Sequence, residues 1–170
     1  MRYPLDRFVT AILDGRYGDV QQGAPLRSPD TLRSYAKRAL SDAARPPFSD
    51  PRHIAMAIGS RLLPRAPQGL CGEGTTAGVI AYDWSAEPKL RGLLVAHGLA
   101  HRILRRQPEE TNEADAWWLT IHLLFPPCDV QPLTMCGVMD AAWAPEWCVL
   151  VVMAELYGCF PDASVQSFGL

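Results

Sequence analysis

The segment Val95-Ala96-His97-Gly98-Leu99-Ala100-His101 lies in a run whose apolar residues, among them Leu90, Leu93, Leu94, Leu99, Ile103 and Leu104, read as one helix. The helix is predicted from about Ala86 to Arg106, capped by Ser85 and ended by Pro108. An apolar helix of that length obliges the rest of the chain to pack around it. Four residues make slightly more than one turn. His97 and His101 therefore leave the same face of the helix, one imidazole above the other.

The chain has 170 residues, of which 48% are hydrophobic, enough for one compact domain with a real core. A single domain is expected over residues 1–160, with a helical extension over 1–45 and a loose tail over 161–170. The net charge of −2 gives no strong field for nucleic acid or an anionic membrane, so no direct nucleic-acid or membrane partner is expected. No secretory leader is visible at the N-terminus, and no apolar run reaches the roughly 20 residues that span a bilayer. The five cysteines form no C-x-x-C pair and read as reduced thiols of a cytoplasmic protein.

Local signals place the other elements. A short helix is predicted over Leu5–Leu13. Ser28-Pro29-Asp30 starts a helix that buries Leu32, Tyr35, Ala36, Ala39 and Leu40 and stops at Arg45-Pro46-Pro47. Asp50-Pro51 starts another, carrying Ile54, Ala55, Ala57 and Ile58 and ending between Gly59 and Pro64. Pro67–Thr76 reads as a loop, and Ala77–Trp84 as a β-branched and aromatic strand. Asn112 caps a helix over Glu113–Phe125, and a helix pair follows over about Leu133–Ala142 and Pro145–Tyr157. The fold class is α+β: mostly helical, with a small β-sheet.

Two imidazoles at this spacing suit Zn²⁺, which accepts nitrogen ligands at about 2.0–2.1 Å and takes at least three protein ligands at a catalytic site. The helix after Pro108 supplies the acids, Glu113 and Asp115. They sit about 200° apart around its axis, so one of them faces the histidines. Glu113 shares a stripe with Ala116, Trp117 and Thr120, and Asp115 with Leu119 and His122; Glu113 is favoured. The plainer reading stands beside this one: histidines packed in a core and bonded to carbonyls, and acids drawn to a helix N-terminus by its dipole. Trp117 and Trp118 read as core and surface aromatics.

The zinc-protease signature H-E-x-x-H has the same histidine spacing, with a glutamate where this chain has Gly98. Several segments, in order, resemble the ImmA/IrrE metallopeptidases. Asp50-Pro51-Arg52-His53-Ile54-Ala55-Met56-Ala57-Ile58-Gly59 is similar to their "iA..lG" helix, and Val79-Ile80-Ala81-Tyr82 to the strand before their active-site helix. Arg91 through His101 resembles "R..l.HE.gH". Glu113-Ala114-Asp115-Ala116 with Leu123-Leu124-Phe125-Pro126 resembles "E.EA…LLmP", and Ala141-Ala142-Trp143-Ala144-Pro145 through Leu156 resembles their C-terminal helices. The resemblance spans about residues 50–156. It implies a zincin-like domain with an active-site helix, and Zn²⁺ held by His97, His101 and an acid from the Glu113/Asp115 pair. It also implies a part in regulated proteolysis, with a helix-turn-helix transcriptional repressor as protein partner.

The departure at Gly98 removes the general base. Such a glutamate takes the proton of the attacking water and passes it to the leaving amine, help worth about 10²–10⁴-fold. Val151-Val152-Met153 also stand where the family usually has an arginine. Nothing in the sequence directs Glu73, Asp83, Glu109 or Glu110 to the metal as a substitute. The expectation is a zinc-peptidase homologue that is catalytically impaired, a pseudoenzyme that binds its partner. The alternatives are an active zinc endopeptidase with an unusual base and a metal-free helical interaction module.

Overall fold

The structure, a computed structural model, describes residues 25–46, 48–65, 78–107, 112–125 and 135–157. The expected helix over Leu5–Leu13, the loop Pro67–Thr76 and the tail 161–170 lie outside the described residues. In chain order come α1 (Pro29–Asp42), α2 (Pro51–Ala57), β1 (Arg61–Arg65), β2 (Val79–Asp83), α3 (Pro88–Leu104), α4 (Glu113–Leu124), α5 (Met135–Ala141) and α6 (Glu146–Tyr157). The class is α+β and mostly helical, as expected.

Three helices begin where the sequence places a cap. Ser28 Oγ accepts the Thr31 N–H at 3.2 Å with Pro29 at the first helical position of α1. Asp50 Oδ1 accepts the Arg52 N–H at 2.9 Å ahead of Pro51. Asn112 and Asp115 form a reciprocal capping box at α4: Asn112 Oδ1 accepts the Asp115 N–H at 2.9 Å, and Asp115 accepts the Asn112 N–H.

The start of α3 differs from expectation. Ser85 does not cap it; its N–H and hydroxyl both donate to Asp83 Oδ1, at 2.8 and 2.6 Å. The helix starts two residues later than predicted, at Pro88, behind Glu87, whose side chain makes no capping bond. Proline suits a first helical position because it has no N–H to leave unsatisfied, and the Asp83 carboxylate holds Ser85 in a turn of its own.

Strand β1 is a second correction, because the sequence reads this stretch only as the end of a helix. Gly59 adopts φ +79°, a left-handed conformation that costs glycine no steric strain, and turns the chain out of α2. Residues 61–65 then pair in parallel with β2, Arg61 opposite Val79 and Arg65 opposite Asp83. Pro64 obscures the strand signal, since proline cannot donate to a ladder and is tolerated only at an edge. Arg102, at the end of α3, secures this corner. Its Nη2 donates to the Gly59 carbonyl at 2.9 Å, and its guanidinium occupies the space a Cβ on Gly78 would need.

Helix α3 is the centre of the fold. It packs against α2, α4 and β2, and α4 packs in turn against α1. Every residue from Gly92 to Ala100 is buried, so this stretch is enclosed on all sides rather than amphipathic. Leu93, Val95, Leu99, Ile54, Ile80 and Trp117 belong to one continuous core. Trp118, expected at the surface, is buried as well, because α4 has neighbours on two sides. Val152 and Met153 are also buried and belong to the core.

Gly92 marks a close approach. A Cβ built there would lie 2.7 Å from the Trp143 carbonyl oxygen and 2.9 Å from Trp143 Cβ. Gly92→Ala is expected to force the two segments apart and destabilise the protein by about 1–3 kcal/mol, read as a lower urea midpoint. An unchanged midpoint would show that this approach is not tight.

His122 is buried on α4 beside the Trp118 ring, 5.7 Å between centroids, and neither of its nitrogens has a hydrogen-bond partner among the described residues. Burial pushes the imidazole down from 6.5 to about 4, with Arg33 adding to the effect and Asp30 opposing it. The unfolded chain therefore takes up a proton at a higher pH than the folded one. Stability is complete above the unfolded value and falls as the pH drops from 6.5 toward 4. His122→Leu should remove up to about 1.4 kcal/mol per pH unit from that slope, measured by urea unfolding in chelator; an unaltered slope would contradict the burial of a neutral ring.

Candidate metal centre

Helix α3 delivers both histidines to the side that faces α4, and the capping box sets the first turn of α4 against them. His97 is 2% exposed, His101 23% and Glu113 31%, so the cluster has a closed inner end and an outer end open to solvent. His97 Nε2 lies 2.8 Å from Glu113 Oε1, and His101 Nε2 lies 3.1 Å from Glu113 Oε2. The two Nε2 atoms are 3.2 Å apart. One ligand atom from each of the three residues falls within 4.8 Å of the others.

Two neighbours on α4 constrain His97. The Trp117 ring stacks on it, with centroids 3.7 Å apart and planes inclined by 15°. Thr120 Oγ1 stands 3.3 Å from its Nδ1. Burial lowers the His97 pKa, against the hydrogen bond to Glu113, which raises it; the His101 charge lowers it further. For Glu113, burial would raise the carboxyl, but the hydrogen bonds and charges of His101 and His97 outweigh it and hold the group ionised well below the usual carboxylate range. The cluster thus joins a carboxylate to an imidazole that resists protonation.

The donor set fits a divalent transition metal. Two imidazole nitrogens and one carboxylate oxygen form a set used by catalytic zinc sites, which leave a further position for an exchangeable ligand.

Of the two acids proposed as the third ligand, the structure brings Glu113 to the histidines and turns Asp115 away. Asp115 is fully buried and accepts the backbone N–H of Arg27 at 3.0 Å and its Nη1 at 3.1 Å. That ion pair, together with the capping box, occupies the carboxylate. Arg27 lies 88 residues away in sequence, and no local signal could have paired the two. Gly98 lies buried on α3 between the histidines and offers no proton acceptor. Asp83, one of the substitute bases considered, is buried and engaged by Ser85. Glu73, Glu109 and Glu110 lie outside the described residues.

Comparison of the chain with family models, with curated proteins and with solved structures found no match.

Proposed function

We propose that this chain is a zincin-like homologue of the ImmA/IrrE peptidases that holds Zn²⁺ at His97, His101 and Glu113 and acts in the cytoplasm by binding a protein partner rather than cutting it. The observation that carries this reading is the convergence of those three side chains on a helix pair whose motif order resembles that family, with Gly98 at the position of the base. A helix-turn-helix repressor is the partner class the resemblance favours.

Within this reading the residues have separate tasks. His97 and His101 would contribute nitrogens and Glu113 an oxygen. Bound Zn²⁺ supplies charge that polarises a carbonyl and lowers the pKa of water. The Arg27–Asp115 pair fixes the first turn of α4, and so the reach of Glu113. No side chain at 98 can move a proton between water and a leaving amine. That loss removes about 10²–10⁴-fold in rate, roughly 3–5 kcal/mol of barrier, and so favours binding without turnover.

Metal content tests the ligand set. Wild-type protein is expected to hold about one zinc per chain, and Glu113→Gln to weaken binding by more than about 100-fold, beyond the usual effect of an outer-shell change. Asp115→Asn should keep the stoichiometry while losing about 3–5 kcal/mol of stability, since it leaves the Arg27 charge buried without its partner. Equal zinc loss in both variants would contradict the assignment of Glu113, and absence of zinc from the wild type would leave a metal-free interaction module.

The missing base is tested by Gly98→Glu. Incubated with helix-turn-helix repressors, the variant is expected to cleave and the wild type only to bind. Cleavage by the wild type that a chelator abolishes would show an active peptidase with another base.

A further inference from the structure

A second concave site lies on the other side of α3 from the histidines. Ile103 follows His101 by two residues, about 200° around the helix axis. It lines a cavity of about 460 Å³ between the C-terminal ends of α1, α2 and α3. That size falls within the ~300–1,000 Å³ range of small-molecule sites. Buried Ile103 and Ala39 form its floor, and half-buried Tyr35 and Ile58 its walls.

The rim carries a surplus of positive charge. Arg38 and Arg106 stand there against one acid, Asp42. Arg38 Nε lies 4.0 Å from Asp42 Oδ2 and both side chains are largely exposed, so this pair holds Arg38 only weakly. Arg106 forms no ion pair among the described residues. Its charge acts instead on Arg102, whose guanidinium is committed to the Gly59 carbonyl. Helix C-termini ordinarily offer bare carbonyls that attract cations. Here the N–H groups of Ala43, Ala44 and Arg45 occupy the carbonyls of Ala39, Ser41 and Leu40, and those of Arg106 and Gln107 occupy Ile103 and Leu104. The balance at this cavity therefore favours an anion.

We propose that this cavity binds a small organic anion, its carboxylate held by Arg38 and Arg106 and its apolar body laid on Ile103, Ala39 and Ile58. A guanidinium presents its N–H groups as a fork that matches the two oxygens of a carboxylate. The site stands apart from the metal centre and does not rest on the metal reading.

Titration of the full chain with 2-naphthoate, followed by ¹H–¹⁵N NMR, tests this. Saturable shifts are expected at Tyr35, Ile58 and Ile103, with a Kd of about 1 mM or tighter. Neutral 2-naphthamide should bind at least about tenfold more weakly, and Arg106→Gln should weaken 2-naphthoate by about tenfold. Ala57→Trp, at an exposed position that lines the cavity, should fill it and abolish the shifts. Absence of saturable shifts in the wild type up to about 10 mM overturns the proposal. So do equal affinities for the acid and the amide, a comparison made on the wild type and independent of whether either variant folds. Wild-type affinity in Arg106→Gln or Ala57→Trp, or shifts gathered elsewhere on the chain, overturn it as well.

Discussion

Helices α3 and α4 bring two imidazoles and a carboxylate into one partly closed corner, where hydrogen bonds to the carboxylate or a shared positive charge can hold them together. Protonation could supply that charge, but burial lowers the His97 pKa. A divalent cation supplies it without that penalty and matches the nitrogen–nitrogen–oxygen donor set. The packing of α3 against α4 thus serves two purposes. It builds the core through Leu93, Leu99, Trp117 and Leu119, and it sets the separation of the three candidate ligands.

The surroundings make that separation hard to change. The N-terminus of α4 is fixed by the Asn112–Asp115 capping box and by the buried Arg27–Asp115 pair. The far end of α3 is pinned by Arg102 to the Gly59 carbonyl. Near the start of α3, Gly92 lies against the backbone of Trp143, whose ring faces the Arg52 guanidinium at 5.5 Å. A buried ion pair adds little net stability but penalises any arrangement that separates its partners. Asp115 therefore helps the site without joining it.

Features of the fold that depend on a few neighbouring residues were legible in the sequence. Ser28-Pro29, Asp50-Pro51 and Asn112 each carry the chemistry that starts a helix, and all three helices begin there. Ser85 misled because Asp83, two residues earlier, offers its N–H and hydroxyl a stronger acceptor than a helix would. Strand β1 was hidden by Pro64 and by pairing with a segment 18 residues further on, from Arg61 to Val79. In the site, the His97/His101 pair and the stripe containing Glu113 and Thr120 follow from helical spacing. The exclusion of Asp115 does not, because it needs Arg27 from across the fold.

X-ray absorption at the zinc K-edge of the zinc-loaded protein reads the first coordination shell directly. Two imidazoles at about 2.0–2.1 Å with oxygen in the remaining shell are the expected result, and they should fall to one imidazole in His101→Ala. Sulfur scattering at about 2.3 Å, or a shell with no imidazole signature, would contradict the placement of the metal between α3 and α4.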